Sequence, residues 1–235
     1  MFENILFIIP ARGGSKGVPK KNVKLFLGKP LIHYSIEYAR LFVSDRNICV
    51  STNDEEIIAC VRQIGIDVPF VRPNNLATDT SDTFSVLQHA LNHYQLNENR
   101  QFEGVVLLQP TSPMRERKHL EEAMELWNKE TEMVVSVSEA ESSPYFTLFE
   151  EDNNGFLKIC MGDGSLIRRQ DAPTIYEYNG SIYIIKSDIL QLRNSFKEIT
   201  KKVKYVMDCY YSIDIDTLDD WNYAEYKHAK MNEKY

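Results

Sequence analysis

Apolar residues run without alternation from Ile5 to Ile9 and stop at Pro10, which predicts a strand over 4–9 buried on both faces. A stretch rich in glycine and lysine follows. After Gly28-Lys29-Pro30, the residues Leu31, Tyr34, Ser35, Tyr38 and Leu41 recur at helical spacing. Pro30 suits the first turn, where a missing N–H costs nothing. Further along, the pattern predicts strands over 47–51, 68–71, 104–108 and 133–137. Between them it predicts helices from Asn53 or Asp54 to about Ile64, from 80–83 to about Tyr94, and over 118–127. Strands alternating with helices imply βαβ units and a mostly parallel sheet. Ligands bind such sheets beyond the carboxyl ends of the strands. That rule gathers residues 12–22, 51–54, 77–83 and 109–115 at one edge.

The rhythm breaks after Ser138. Residues 139–179 hold turn signals, Ser142-Ser143-Pro144, Asp152-Asn153-Asn154-Gly155 and Gly162-Asp163-Gly164, between β-prone pieces at 145–149 and 156–161. An interruption of this length in an α/β pattern is more than a plain loop. It is either a hairpin over the site of its own chain or an arm that reaches a partner. Strand-like patterning returns at 181–185, 204–207 and 212–215, with a helix capped by Ser187 to about Leu192 and a closing helix over 217–231.

The chain has 235 residues, 43% hydrophobic and 26% charged, which suits one domain with a small appendage. A net charge of −7 argues against a nucleic-acid partner. Cys49, Cys60, Cys160 and Cys209 are far apart and form no Cys-x-x-Cys pair, which predicts a reducing compartment and no structural zinc. The apolar run at the N-terminus lacks a basic lead and meets proline and arginine early, and no run has membrane-spanning length. These features predict a cytoplasmic protein that does not engage a membrane.

Against that acidic background one window is reversed in sign. Residues 4–36 contain no Asp or Glu and six Lys or Arg. The loop after the first strand holds Gly13, Gly14 and Gly17 beside Arg12, Lys16, Lys20 and Lys21. Glycines allow positive φ and close approach to a ligand, and successive amides form an anion-binding concavity. The loop is expected to be exposed and to bind phosphate, yet it fits neither the P-loop nor the Gly-x-Gly-x-x-Gly pattern. A second feature is Ser212-Ile213-Asp214-Ile215-Asp216-Thr217. Extended backbone puts Asp214 and Asp216 on one face and the isoleucines on the other. Two such carboxylates beside a phosphate site suit Mg²⁺. The competing reading has Asp216 merely capping the closing helix. Gln109-Pro110-Thr111-Ser112-Pro113-Met114-Arg115 follows a buried strand, its backbone stiffened by two prolines.

The wording Ala11-Arg12-x-x-Ser15-Lys16-Gly17-x-Pro19-x-Lys21-Asn22 resembles the sugar-activating nucleotidyltransferases, within them the acylneuraminate cytidylyltransferases. The related branch for the eight-carbon acid Kdo has Thr-Arg-Leu-Pro in this loop. The resemblance covers essentially the whole chain. It implies a Rossmann-like three-layer α/β nucleotide-diphospho-sugar transferase fold over 1–235, mostly parallel, with residues 139–179 as a β-rich arm building a homodimer. It implies transfer of CMP from CTP to a nine-carbon 2-keto sugar acid. Arg12, Lys16 and Lys21 would neutralise the triphosphate, and Ala11, Gly13, Ser15, Asn22, Ala77, Thr80 and Thr83 would line the nucleotide. Gln109, Arg169, Asn179 and Tyr183 would meet the sugar acid, and Asp214 and Asp216 would hold Mg²⁺. This chain departs from relatives at Glu177-Tyr178-Asn179-Gly180, where they often have Arg-Pro-Asn-Gly. Two rival classes remain at this stage. A metal-dependent glycosyltransferase also uses an Asp-x-Asp pair, and a nucleotide-binding module needs no chemistry.

Overall fold

The computed structural model describes residues 2–232, without the side chains of Arg169, Met231 and Asn232. Ten strands and six helices follow in order: β1 Ile5–Pro10, β2 Leu25–Phe26, β3 Lys29–Pro30, α1 Leu31–Arg40, β4 Ile48–Ser51, α2 Glu55–Arg62, α3 Thr83–Asn97 and β5 Gly104–Leu108. Then come α4 Arg117–Glu125, β6 Met133–Glu139, β7 Phe149–Glu151, β8 Leu157–Ile159, β9 Tyr176–Lys186, α5 Ser187–Leu192, β10 Lys202–Val206 and α6 Leu218–Asn232.

Six strands form the central sheet in the order β10-β6-β9-β5-β1-β4. β1 pairs in parallel with β4 and β5, and β10 with β6; β9 runs antiparallel to both its neighbours. The uninterrupted apolar run of β1 has its reason here. Phe7 and Ile9 enter one core with α1, α2 and α4, while Leu6 and Ile8 enter the other with α3 and α5. The result is the three-layer α/β arrangement.

α2 begins where the carboxylate of Asp54 accepts from the amides of Glu56 and Ile57, so Asp54 is the cap and Asn53 is free for another task. Ser187 is the first residue of α5 and not its cap, and its hydroxyl makes no capping bond. The strand expected at 68–71 is reduced to a single bridge between Thr52 and Val71. Pro69 supplies no N–H in its middle, which breaks a ladder. The segment 212–215 also lies outside the sheet. Its alternation is real, since Ile213 and Ile215 are buried. They pack against Val18, Met114 and Trp221, a small third core, instead of pairing with a strand.

The β7–β8 hairpin stands apart from both main cores. Residues 176–179, expected in the arm, belong to the long central strand β9.

Candidate active site

The carboxyl ends of β1, β4, β5 and β6 and the start of β9 lie at one edge of the sheet. Just past β1, the Ala11 amide donates to the Ser51 carbonyl at 2.9 Å, fastening the loop to β4. The Gly13 amide donates to Asn53 Oδ1 at 3.1 Å, and a Cβ on Gly13 would come within 2.5 Å of Asp54 Oδ2. Gly14 takes a positive φ of 74°. The second left-handed residue of the loop is Lys20 (φ 53°), not a glycine. Gly17 serves close approach: a Cβ there would lie 2.0 Å from the Asp216 carbonyl oxygen. Val18, fully buried beside Ile215, rivets the loop to the Asp-x-Asp segment.

Lys21 lies at the centre of this junction. It is buried, contrary to the expectation of an exposed loop, and its ammonium donates to the Ile215 carbonyl at 2.5 Å and to Asp216 Oδ1 at 3.0 Å. Asn22 is also buried, and its Nδ2 donates to the Arg12 carbonyl at 3.2 Å. Arg12 and Lys16 both reach one anion, Asp79, at 2.6 and 2.5 Å. Those contacts, Lys16 first and then Arg12, hold the Asp79 carboxyl below its ordinary range.

Asp216 does not cap α6. Thr217 Oγ1 accepts from the Asp220 amide, and the Asp220 carboxylate accepts from the amides of Thr217 and Asp216, closing a capping box without the Asp216 side chain. The Asp216 side chain is 73% exposed and, among the described residues, its carboxylate bonds to Lys21 alone. Asp214 Oδ1 and Thr111 Oγ1 lie buried near each other, and neither makes a well-formed hydrogen bond among the described residues. Burial pushes the Asp214 carboxyl above its ordinary range. Thr111 pulls it back, the Asp216 charge adds to the rise, and Lys21 and Arg115 oppose it. A buried orphan oxygen and a nearby exposed carboxylate form an oxygen-only donor pair, which fits a hard divalent cation that completes its shell with phosphate and water.

A cavity of about 380 Å³ opens between these parts, lined by Arg12, Ser15, Lys16, Lys21, Asn22, Gln109, Thr111 and Asp216 among others. The Gln109 carbonyl is held by Arg115 at 2.5 Å and Ser35 at 3.2 Å. Arg115 also donates to the Ser181 carbonyl at 3.0 Å, so one buried guanidinium fixes the ends of β5 and the turn in β9 together. Burial pushes its pKa down to about 10.

The structure thus brings Ala11, Arg12, Gly13, Ser15, Lys16, Lys21, Asn22, Gln109, Asp214 and Asp216 together. Ala77, Thr80 and Thr83 do not line the cavity; their segment meets the loop through Asp79. Asn179, expected to meet the sugar acid, is buried with its carboxamide bonded to Ser136 Oγ, the Ser181 amide and Ser212 Oγ. Tyr183 is buried in the core beside α3, its ring against Tyr178 and Phe196. The Arg169 side chain lies outside the described residues. Sequence reasoning gathered Asp79 and Arg115 at this edge without giving either a role, and it missed the Thr217/Asp220 cap. The cap had a local signal, Thr-x-x-Asp before a helix.

A family model described as Cytidylyltransferase matches residues 6–232. The chain belongs to the cytidylyltransferase family. It is 36% identical to the CMP-N,N'-diacetyllegionaminic acid synthase of Legionella pneumophila subsp. pneumophila over 231 residues, covering 98% of each. It is also 36% identical to the N-acylneuraminate cytidylyltransferase of Streptococcus agalactiae serotype V, over 91% of this chain and 51% of that protein, about half its length. A solved structure of CMP:2-keto-3-deoxy-manno-octonic acid synthetase complexed with CTP superposes with a TM-score of 0.69, covering 99% of this chain and all of the other. At 17% identity that likeness shows the fold.

Proposed function

We propose that the protein activates a nine-carbon 2-keto sugar acid of the sialic acid type with CTP, giving the CMP-sugar and pyrophosphate. The observation that carries this reading is Lys21, buried between the phosphate loop and Asp216, at a cavity that Gln109 also lines. Family membership and two relatives with names of this activity support it over a glycosyltransferase or a binding module.

The C2 hydroxyl oxygen of the sugar acid forms a bond to the α-phosphorus as its proton leaves to solvent, and the bond from that phosphorus to the bridging oxygen breaks, releasing pyrophosphate. Such transfers need positioning and charge stabilisation more than covalent help. Arg12 and Lys16 hold the phosphates, which displace Asp79 from them. Lys21 stays fixed by Ile215 and neutralises charge from below. Asn22 holds the loop in register through the Arg12 carbonyl, and Gln109 orients the sugar acid. Asp214 and Asp216 would hold Mg²⁺, which when bound neutralises charge on the phosphates. The reading places the protein in the cytoplasm, where its four free cysteines stay reduced.

The test is pyrophosphate release with CTP and Mg²⁺ across neuraminic, legionaminic, pseudaminic and deaminated acids. At least one acid should turn over, with ATP, GTP and UTP each supporting far less. Equal rates with UTP, or no acid accepted, would overturn the reading.

A further inference from the structure

Among the described residues, no strand pairs with the segment that carries Asp214 and Asp216. The last ladder-like bond before it runs from the Met207 amide to the Val137 carbonyl at 2.8 Å. Beyond that, it is held from separate directions. The Ile215 amide donates to the Thr111 carbonyl at 2.9 Å, Lys21 grips the Ile215 carbonyl, and Asn179 reaches Ser212.

Asn179 sits where β6 and β9 lose register. Val135 faces Tyr183 and Val137 faces Tyr178, so Ser136 alone opposes the four residues from Asn179 to Ile182. That is an extended β-bulge, a feature that re-aims side chains next to functional sites. Side chains replace the missing ladder. Ser136 Oγ, fully buried, donates to Asn179 Oδ1 at 2.6 Å and accepts from the Ile182 amide at 2.8 Å. Asn179 Oδ1 also accepts from the Ser181 amide at 3.2 Å. Asn179 Nδ2 donates to Ser212 Oγ at 2.9 Å, and Ser212 Oγ donates to the Asp208 carbonyl at 3.0 Å. Donors point one way along this chain, from Ser136 through Asn179 to Ser212 and Asp208. An amide oxygen accepts two bonds and its nitrogen gives two, so three of the four capacities of Asn179 are spent on protein. The bulge also brings Gly180, at a φ of 70°, against the site; a Cβ there would lie 3.1 Å from Asp214 Oδ2 and 3.5 Å from Gln109 Nε2.

We propose that Asn179 is a positioning residue: with Ser136 and Ser212 it clamps the β9 bulge to the Asp214–Asp216 segment and so sets where the cation-holding carboxylates stand. This rests on the reading of those carboxylates given above. Buried networks of this kind are worth most when every member is satisfied.

Ser212→Ala and Asn179→Ala separate this role from substrate contact, because Ser212 is not among the residues lining the cavity. Each variant is assayed for turnover against Mg²⁺ and sugar acid, and Mn²⁺ binding in the presence of CTP is followed by electron paramagnetic resonance. Both variants should weaken Mn²⁺ binding and raise the Mg²⁺ requirement about fivefold to tenfold, the loss of roughly one hydrogen bond. kcat should fall at saturating sugar acid while its KM stays within about twofold. A rise in sugar-acid KM confined to Asn179→Ala, with metal affinity unchanged, would make Asn179 a substrate contact and overturn the proposal. Lower thermal stability alone, with metal and kinetic behaviour intact, would overturn it too. Asp216→Asn run alongside tells the two failures apart. If that variant also keeps wild-type Mn²⁺ binding and turnover, the carboxylate reading has failed and takes the proposal with it. Ser212→Ala keeps the test decisive if Asn179→Ala does not fold.

Discussion

Lys21 and Asp216 show how far single residues could be read from the chain and where that reading stopped. Both stood out, Lys21 by its place in a cationic, glycine-rich loop and Asp216 by its two-residue spacing from Asp214. Their contact with each other could not be read, because it depends on Val18 and Ile215 sharing a small core far apart in sequence. Lys21 is therefore buried where an exposed loop was expected, and removing it also strands the Ile215 carbonyl. Lys21→Met keeps most of the apolar stem and removes the charge. A charge-assisted hydrogen bond is worth roughly 1.5–3 kcal/mol, so kcat/KM should fall by about one to two decades. Steady-state pyrophosphate release on the folded variant checks this, and unchanged kinetics would make the loop a bystander. Asp216→Asn is a cleaner substitution than the sequence allowed one to expect. The helix cap belongs to Thr217 and Asp220, so the amide costs no capping, and the buried Lys21 ammonium keeps the Ile215 carbonyl and an amide oxygen at position 216 as acceptors. Activity should fall about a hundredfold or more, since a hard cation needs the negative charge, while the melting temperature moves by about 2 °C or less. Full activity with Mg²⁺ would leave Asp216 without a role in metal binding.

At the scale of elements, legibility followed hydrogen bonding. Strands inside the central sheet were visible because burial on both faces leaves an unbroken apolar run, as in β1 and β5. Segments that are extended without partners misled: 68–71 contains a proline that ends a ladder, and 212–215 alternates correctly but packs on α6 and the loop. The bulge opposite Ser136 left no pattern at all, because side chains replace its ladder bonds across strands far apart in sequence. The phosphate loop was legible in composition, less so in the use of each glycine. Gly14 supplies positive φ, whereas Gly13 and Gly17 supply room. Gly17→Ala follows directly. Its Cβ would collide with the Asp216 carbonyl, a backbone atom that cannot rotate aside, so loop and carboxylate segment must part. A misplacement of about 1 Å costs on the order of a hundredfold in rate. The variant should lose about that much kcat and keep its circular dichroism spectrum, and wild-type turnover would show that the two segments need not touch.

For the whole molecule, the alternation of strand and helix was enough to predict a mostly parallel sheet with its site at the carboxyl edge, and that edge is where the cavity lies. What alternation does not describe is the segment between β6 and β9. Its hairpin strands have three residues each, and an isolated hairpin of that size is marginal in water. It also exposes apolar side chains that a monomer has no use for: Leu148 is 43% exposed, Phe149 51%, Phe156 70%, Leu157 73% and Ile167 92%. Clustered apolar exposure of this kind marks an interaction surface. A second copy of the chain offers the same surface in return, and a two-fold arrangement closes with nothing left over. The structure also supplies a way to remove the hairpin without disturbing the sheet. The Met161 amide donates to the Pro144 carbonyl at 2.9 Å, so residues 145–160 can be deleted and the flanking backbone joined across neighbours already in contact. The intact protein should scatter light as a dimer at micromolar concentration, and the deletion should give monomers. If the arm of one copy completes the sugar site of the other through Arg169, the monomers should also lose turnover while keeping their affinity for CTP. That affinity, read by calorimetry, depends on the loop and carboxylates of one chain alone. A deleted monomer with full turnover would show each site to be complete within its own chain, and an intact protein that is monomeric at these concentrations would remove the arm from assembly altogether.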